Sequence, residues 1–211
     1  MATYQLAMIP IDLARVTAGY KNKDYTAWFK RTYNTAGVIH YGVDMTDKNR
    51  GTKSVRAPFD MKIVKAGFDT LFGNVIIAVS TVPVDIHNGP KKGRRKLTVR
   101  MFHLASLSVK AGQTVKRGTI VGNYGGTGKF GGADHLHVEL DTDVNYPQYV
   151  NGIINSSNIA KRATSDTTIH PMDVFKIFPG QEFNSTYDCQ DDSDYVTLTS
   201  SRRMVKARKV N

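Results

Sequence analysis

The chain has 211 residues, with 29 Lys and Arg against 18 Asp and Glu, a formal net charge of +11. That length holds one hydrophobic core rather than two full domains, and the single cysteine, Cys189, excludes an intramolecular disulfide and a cysteine-based zinc knuckle. No apolar run approaches the roughly 18 residues of a membrane span, and the charge favours a polyanionic partner: nucleic acid, an acidic membrane surface or an anionic cell wall.

The first ten residues lack the basic n-region and long apolar core of a secretory signal, so export by a signal peptide of its own is not expected. Residues 1–39 scatter Tyr20, Tyr25, Trp28, Phe29 and Tyr33 among lysines and glycines and read as an irregular lead-in wrapping a sheet. Residues 38–45 read as a strand. Residues 54–59 and 61–66 read as two short strands bent at Pro58-Phe59-Asp60, and 74–79 as a β-branched buried strand. Residues 81–96 carry proline, glycine and the basic cluster Lys91-Lys92-Gly93-Arg94-Arg95-Lys96, the marks of a long hairpin excursion. The next strand, 97–103, alternates and ends on His103. From Val109 to Gly122 valine and glycine recur at close intervals, so each glycine marks a tight turn between short strands.

No stretch has the pattern of a long amphipathic helix, and 151–163 is at most a short one. After Phe178-Pro179-Gly180 the character changes, with an acidic run at 188–194 and a basic one at 202–209. The chain therefore divides into a domain over 1–180 and an extension, linker or docking strand over 181–211. Many short strands with regular turn signals predict a mainly β domain. The basic runs at 91–96 and 202–209 read as solvated loops, not as a specific nucleic-acid site.

One stretch concentrates chemistry: Asp134-His135-Leu136-His137-Val138-Glu139. As a strand it places His135, His137 and Glu139 on one face and Leu136 and Val138 on the other. A helix would set the two imidazoles roughly 200° apart. The preceding Gly125-Gly126-Thr127-Gly128-Lys129-Phe130-Gly131-Gly132 leaves open space beside that face. Upstream, His40-Tyr41-Gly42-Val43-Asp44 read as a strand points His40, Gly42 and Asp44 the same way. An imidazole, a carboxylate and one imidazole of the 135/137 pair make a three-ligand zinc site with an open fourth position. His103 and the other histidine of the pair are then placed to flank a water there, as neutral imidazoles suited to proton transfer.

His40-Tyr41-Gly42-Val43-Asp44, Phe102-His103-Leu104, Val109 through Gly122, Gly125-Gly126-Thr127-Gly128 and His135-Leu136-His137-Val138-Glu139 stand in an order that resembles the lysostaphin/LytM-type zinc metalloendopeptidases, which cut peptidoglycan peptides. The resemblance runs from about Arg15 to about Phe178. It implies a compact antiparallel β-sheet domain of the duplicated hybrid motif type, its groove floored by the sheet and walled by long loops. It implies a zinc ion held by His40, Asp44 and His137, with His103 and His135 as catalytic residues. Such an ion would lower the pKa of its water towards about 7 and polarise the scissile carbonyl.

Glu139, on the same strand face, is a candidate acceptor that fixes an imidazole's orientation. The excursion over 83–96 and the aromatic lead-in over 25–33 are expected to wall the groove, with Asn123 and Tyr124 as candidate lining residues. His87 and His170 match none of the family's catalytic positions and read as incidental. The partners implied are a peptidoglycan peptide as substrate, anionic wall polymers and phage tail proteins. Without a signal peptide, delivery to the bacterial wall by a phage particle or release at lysis is expected. The alternative is a tail or wall-binding module that keeps the fold without hydrolysis.

Overall fold

The computed structural model of the chain describes residues 4–34, 39–148 and 166–184. In order these form β1 (Ala7–Met8), β2 (Leu13–Ala18), α1 (Lys23–Tyr33), β3 (Val43–Asp47), β4 (Ser54–Arg56), β5 (Met61–Asp69), β6 (Gly73–Ser80), β7 (Val84–Ile86), β8 (Gly93–Arg95), β9 (Thr98–Leu107), β10 (Thr114–Val115), β11 (Ile120–Tyr124), β12 (Leu136–Asp141) and β13 (Thr168–Ile169). A 3-10 turn at Pro171–Asp173, β14 (Phe175–Lys176) and β15 (Glu182–Asn184) follow. The short helix expected over 151–163, Cys189, and the charged runs at 188–194 and 202–209 lie outside the described residues.

One sheet carries the site. Its path is β10-β5-β6-β9-β12-β3-β2-β15, with β11 pairing β4 and β9, and β13 pairing β12. The pairings are antiparallel apart from β15 on β2 and the separate β1–β14 pair. The mainly β class read from the turn signals, and the antiparallel sheet that the resemblance implies, are therefore what the chain adopts.

Alternation sorts the central strands. Val99 and Met101 on β9, Leu136, Val138 and Leu140 on β12, and Val43 and Met45 on β3 all enter one core cluster with Phe59, Ile76 and Phe175. The other face of β9 and β12 carries Arg100, Phe102, His137, Glu139 and Asp141, which are buried as well. Both faces of β12 are thus enclosed, one by hydrocarbon and one by polar groups that satisfy each other.

Several expectations change. The described part of the lead-in is regular: β2 adds to the sheet beside β3, and residues 23–33 form an 11-residue helix. Asn22 caps that helix by accepting a hydrogen bond from the Tyr25 N–H, and Tyr25, Phe29 and Tyr33 follow at the spacing of one helix face. The strand expected over 38–45 begins only at Val43, so strand alternation does not align His40 with Asp44. The excursion after Thr81 is a hairpin, with β7 pairing β8. It packs on the 166–176 segment through the His87 N–H to the Asp173 carbonyl and the Lys176 Nζ to Asp85, so it does not wall the groove. Of the segment after Gly180, β15 docks on β2 in parallel register.

Candidate metal centre and active-site groove

His40 reaches the site from a loop. Its Nδ1–H donates to the Gly19 carbonyl at 2.5 Å, which leaves Nε2 as the lone pair facing inward, and its ring packs on Tyr25 of α1 at 4.4 Å between centroids. Asp44 is the second residue of β3, and its register partner on β12 is His137. Cross-strand pairing, not alternation along one strand, brings carboxylate and imidazole together.

His40 Nε2, Asp44 Oδ1 and His137 Nδ1 stand 3.1, 3.0 and 2.9 Å from one another. Donors around a tetrahedral ion with bonds of about 2.0–2.1 Å lie about 3.3 Å apart, so this triangle needs only a small expansion to hold one. The far nitrogens are engaged too: Nδ1 of His40 on Gly19, and Nε2 of His137 3.3 Å from Glu139 Oε1. Imidazoles held this way present one defined lone pair to a metal. The donor set of two imidazoles and one carboxylate, with both rings oriented from behind, fits zinc.

Gly42 makes the close approach possible. A Cβ there would lie 2.5 Å from the Val138 carbonyl oxygen and 2.7 Å from His137 Nε2. The glycine of the His-Tyr-Gly-Val-Asp motif thus leaves room for the His137 ring itself.

Behind the triangle runs a chain of charges. Arg100, fully buried, donates to Glu139 Oε2 at 3.1 Å, Asp141 Oδ2 at 2.8 Å and the Pro147 carbonyl at 2.8 Å. Burial pushes the Glu139 carboxyl up, yet His137 and Arg100 together bring it below the usual carboxylate range. Burial likewise opposes the charge on Asp44, but His40, His135 and His137 hold it well below that range. Burial opposes the charge on His137, yet hydrogen bonds to Asp44 and Glu139 raise it to about 9 in the metal-free protein.

His103 and His135 sit beside the triangle, their rings 4.9 Å apart. His103 is in the middle of β9 rather than at its end, and has φ 65°, the left-handed region. Val99 and Met101 enter the core on odd positions, but Leu104 enters it on an even one. That parity change at His103 turns its side chain away from the core, as a bulge does. The pairing of β9 with β6 shifts register at the same place, between Asn74 opposite Leu104 and Ile76 opposite Met101. Its Nδ1–H donates to the Thr127 carbonyl at 3.0 Å, and burial, together with the neighbouring histidines, lowers it to about 3. The glycine-rich loop is pinned where it supplies that carbonyl: Thr127 Oγ1 bonds to Asn74 N–H and Leu104 C=O. Gly128, at φ 85°, lies where a Cβ would meet the Gly73 nitrogen at 2.1 Å. His135 donates its Nδ1–H to the Ala133 carbonyl at 2.6 Å and points Nε2 at Asp44 Oδ2, 3.6 Å away.

A groove of about 580 Å³ reaches this cluster at Asp44 and His135. Its walls include Tyr25, Trp28 and Tyr33 from α1, Phe130 and Gly131 from the glycine-rich loop, and Tyr124. His40, His103 and His137 line an adjoining pocket of about 40 Å³, separated from the groove by Tyr25 and Phe130. The aromatic lead-in does wall the groove; Asn123 does not line it and instead bonds Ser106. His87 bonds the Phe175 carbonyl, and His170 caps the 3-10 turn. Among the described residues, His40, Asp44 and His137 are a group able to hold a metal ion. Sequence reading missed Arg100, although an arginine at the centre of an apolar strand was itself a signal that acidic partners face it.

Residues 38–149, more than half of the chain, match the profile of Peptidase family M23, so the chain belongs to that family. The catalytic domain of the antimicrobial peptidase lysostaphin from Staphylococcus simulans is 26% identical over 74% of this chain and 86% of that one, with a TM-score of 0.44. A SpoIIQ–SpoIIIAH pore-forming complex contains a chain 18% identical over 82% of this chain and 92% of its own, with a TM-score of 0.54, a likeness of fold. The prophage-encoded M23 protein EnpA from Enterococcus faecalis is 18% identical over 65% of this chain and 87% of that one, with a TM-score of 0.45. No curated protein matches at significance.

Proposed function

We propose that this M23 peptidase is a zinc-dependent endopeptidase that hydrolyses peptide bonds in bacterial peptidoglycan. The observation that carries the reading is the triangle of His40 Nε2, Asp44 Oδ1 and His137 Nδ1, with two further imidazoles beside it and a groove leading to it. Zinc held by those three residues would supply Lewis acidity at the scissile carbonyl and lower the pKa of water in the site.

The remaining steps belong to the chain. Carbonyl oxygens only accept, so His103 and His135 both carry their proton on Nδ1 and offer Nε2 as a base. A neutral ring there takes the proton of the attacking water, and the imidazolium formed returns it to the departing amine. Tyr25 and Phe130 border both the groove and the histidine pocket and restrict solvent around the reacting bond. The net charge of +11 suits a wall rich in anionic polymer. We further propose that the enzyme reaches the wall with a phage particle or at lysis.

The test is zinc content by elemental analysis alongside clearing of purified cell walls. One zinc per chain, with clearing that a chelator abolishes, is expected. His137→Ala should lose metal and activity together, whereas His103→Ala should keep zinc and lose about 10²–10⁴-fold in turnover. Equal loss of zinc in both variants would overturn the assigned roles. Zinc retention with intact walls would favour the wall-binding module instead.

A further inference from the structure

The three residues of the triangle are not held alike. His137 lies inside β12, paired with β3 and β9, with Glu139 at its Nε2 and the Phe102 ring stacked on it at 5.4 Å and 3°. Asp44 lies inside β3, opposite His137. His40 stands three residues before Val43, where β3 begins, so no sheet ladder fixes it.

A short stretch, residues 19–25, holds His40 instead. The Gly19 carbonyl accepts the Nδ1–H at 2.5 Å, and the Lys21 N–H donates to the His40 carbonyl at 2.6 Å. The Tyr25 ring packs on the imidazole at 4.4 Å and 41°. A ring tethered at one nitrogen can still tilt about that bond and carry Nε2 away from Asp44 and His137. Packing against a neighbouring ring opposes the tilt, and a ligand must be held to within about 10–20° of its productive geometry.

Tyr25 is itself well fixed. It lies in the first turn of α1, where its N–H is held by the Asn22 side chain at 2.5 Å. Further along the helix, Phe29 and Tyr33 pack on Phe130 of the glycine-rich loop at 5.1 and 5.3 Å. The Tyr25 side chain lines both the groove and the histidine pocket.

We infer that Tyr25 is a positioning residue for the metal ligand His40, so that the groove wall formed by α1 is also part of the metal centre. The inference rests on the zinc reading of the site and adds the element that orients the one ligand the sheet does not hold.

The test is a competitive zinc titration of the full chain, joined to the visible spectrum of the cobalt(II)-loaded protein, which reports ligand geometry. Tyr25→Ala should weaken zinc about tenfold, the low end of what losing an orienting neighbour costs, and should alter the cobalt spectrum. Tyr25→Phe keeps the ring and should restore both. Tyr33→Leu removes a ring of the same helix that packs on Phe29 and Phe130, and should leave both unchanged. Tyr25→Leu, which keeps apolar bulk without a ring, makes the same test should Tyr25→Ala not fold. Zinc bound as tightly without the Tyr25 ring as with it, Tyr25→Phe as weak as Tyr25→Ala, or equal weakening by Tyr33→Leu overturns the role of Tyr25 and leaves the zinc reading intact. A wild-type protein that takes up no zinc refutes the zinc reading and this role with it.

Discussion

Gly42→Ala is the smallest change that should separate the fold from the metal site. The added methyl would lie 2.5 Å from the Val138 carbonyl oxygen and 2.7 and 2.9 Å from His137 Nε2 and Cε1, whereas such contacts ordinarily stand at about 3.5–4.0 Å. The carbonyl cannot yield, because Val138 pairs with Val43 and Met101 inside the sheet. The His137 ring must therefore move by about 1 Å, which strains its bond to Glu139 and turns Nδ1 away from the triangle. Overpacking of this kind costs about 1–3 kcal/mol, a fall of about 2–12 °C in melting temperature for a domain of this size. Disturbing the orientation of a ligating histidine costs about 10–100-fold in metal affinity. The assay is thermal unfolding of the metal-free protein with a competitive zinc titration. Gly67→Ala serves as the control, since nothing lies within 4 Å of its added methyl. Should Gly42→Ala bind zinc and melt as the wild type does, the close-approach argument is wrong.

Chelation should leave the sheet folded but lower its melting point, because a metal present at a thousand times its Kd adds about 4.1 kcal/mol; circular dichroism before and after chelator reads both effects. In the metal-free protein His137 stays protonated to about 9, because hydrogen bonds to Asp44 and Glu139 outweigh burial. The stability of that charged form is complete below the ordinary histidine range and lost as pH rises through about 9. Zinc must displace the proton, so its apparent affinity should climb with pH up to about 9 and flatten above it; a zinc titration flat from pH 7 to pH 9 would contradict this. Arg100→Met removes the buried guanidinium shared by Glu139 and Asp141, leaving Glu139 with His137, and should cost about 3–5 kcal/mol in a denaturant titration.

The two faces of the 134–139 stretch were legible because strand alternation has a period of two and Leu136 and Val138 are unambiguous core residues. The core face also follows from Val99, Met101, Val43 and Met45. Helix α1 was readable in principle: Asn22 followed by Tyr25, Phe29 and Tyr33 marks a cap and one helix face. A reading by glycine and lysine content passes over that spacing. The path of His40 was not readable, because its position depends on a hydrogen bond to Gly19 across the fold and on a loop that precedes β3. Nor was the left-handed turn at His103, which no residue type there demands. It is imposed by the loop carbonyl at Thr127 and the Phe72 carbonyl that accepts the His103 N–H. The hairpin after Thr81 shows the same limit: its strands follow from turn chemistry, but its docking place follows from the 166–176 segment.

The polar face of β12 argues for a site independently of any motif. Arg100, Glu139 and Asp141 are fully enclosed, and enclosing three charges costs desolvation that their mutual attraction at best returns. A sheet seeking only stability would do as well with packed hydrocarbon there, as it does on the face carrying Leu136, Val138 and Leu140. What the charged face adds is direction: Arg100 fixes Glu139, and Glu139 fixes the His137 ring with Nδ1 turned to His40 and Asp44. Orientation that cannot be gained from hydrocarbon is the physical reason for this network to sit one register step from the metal ligands.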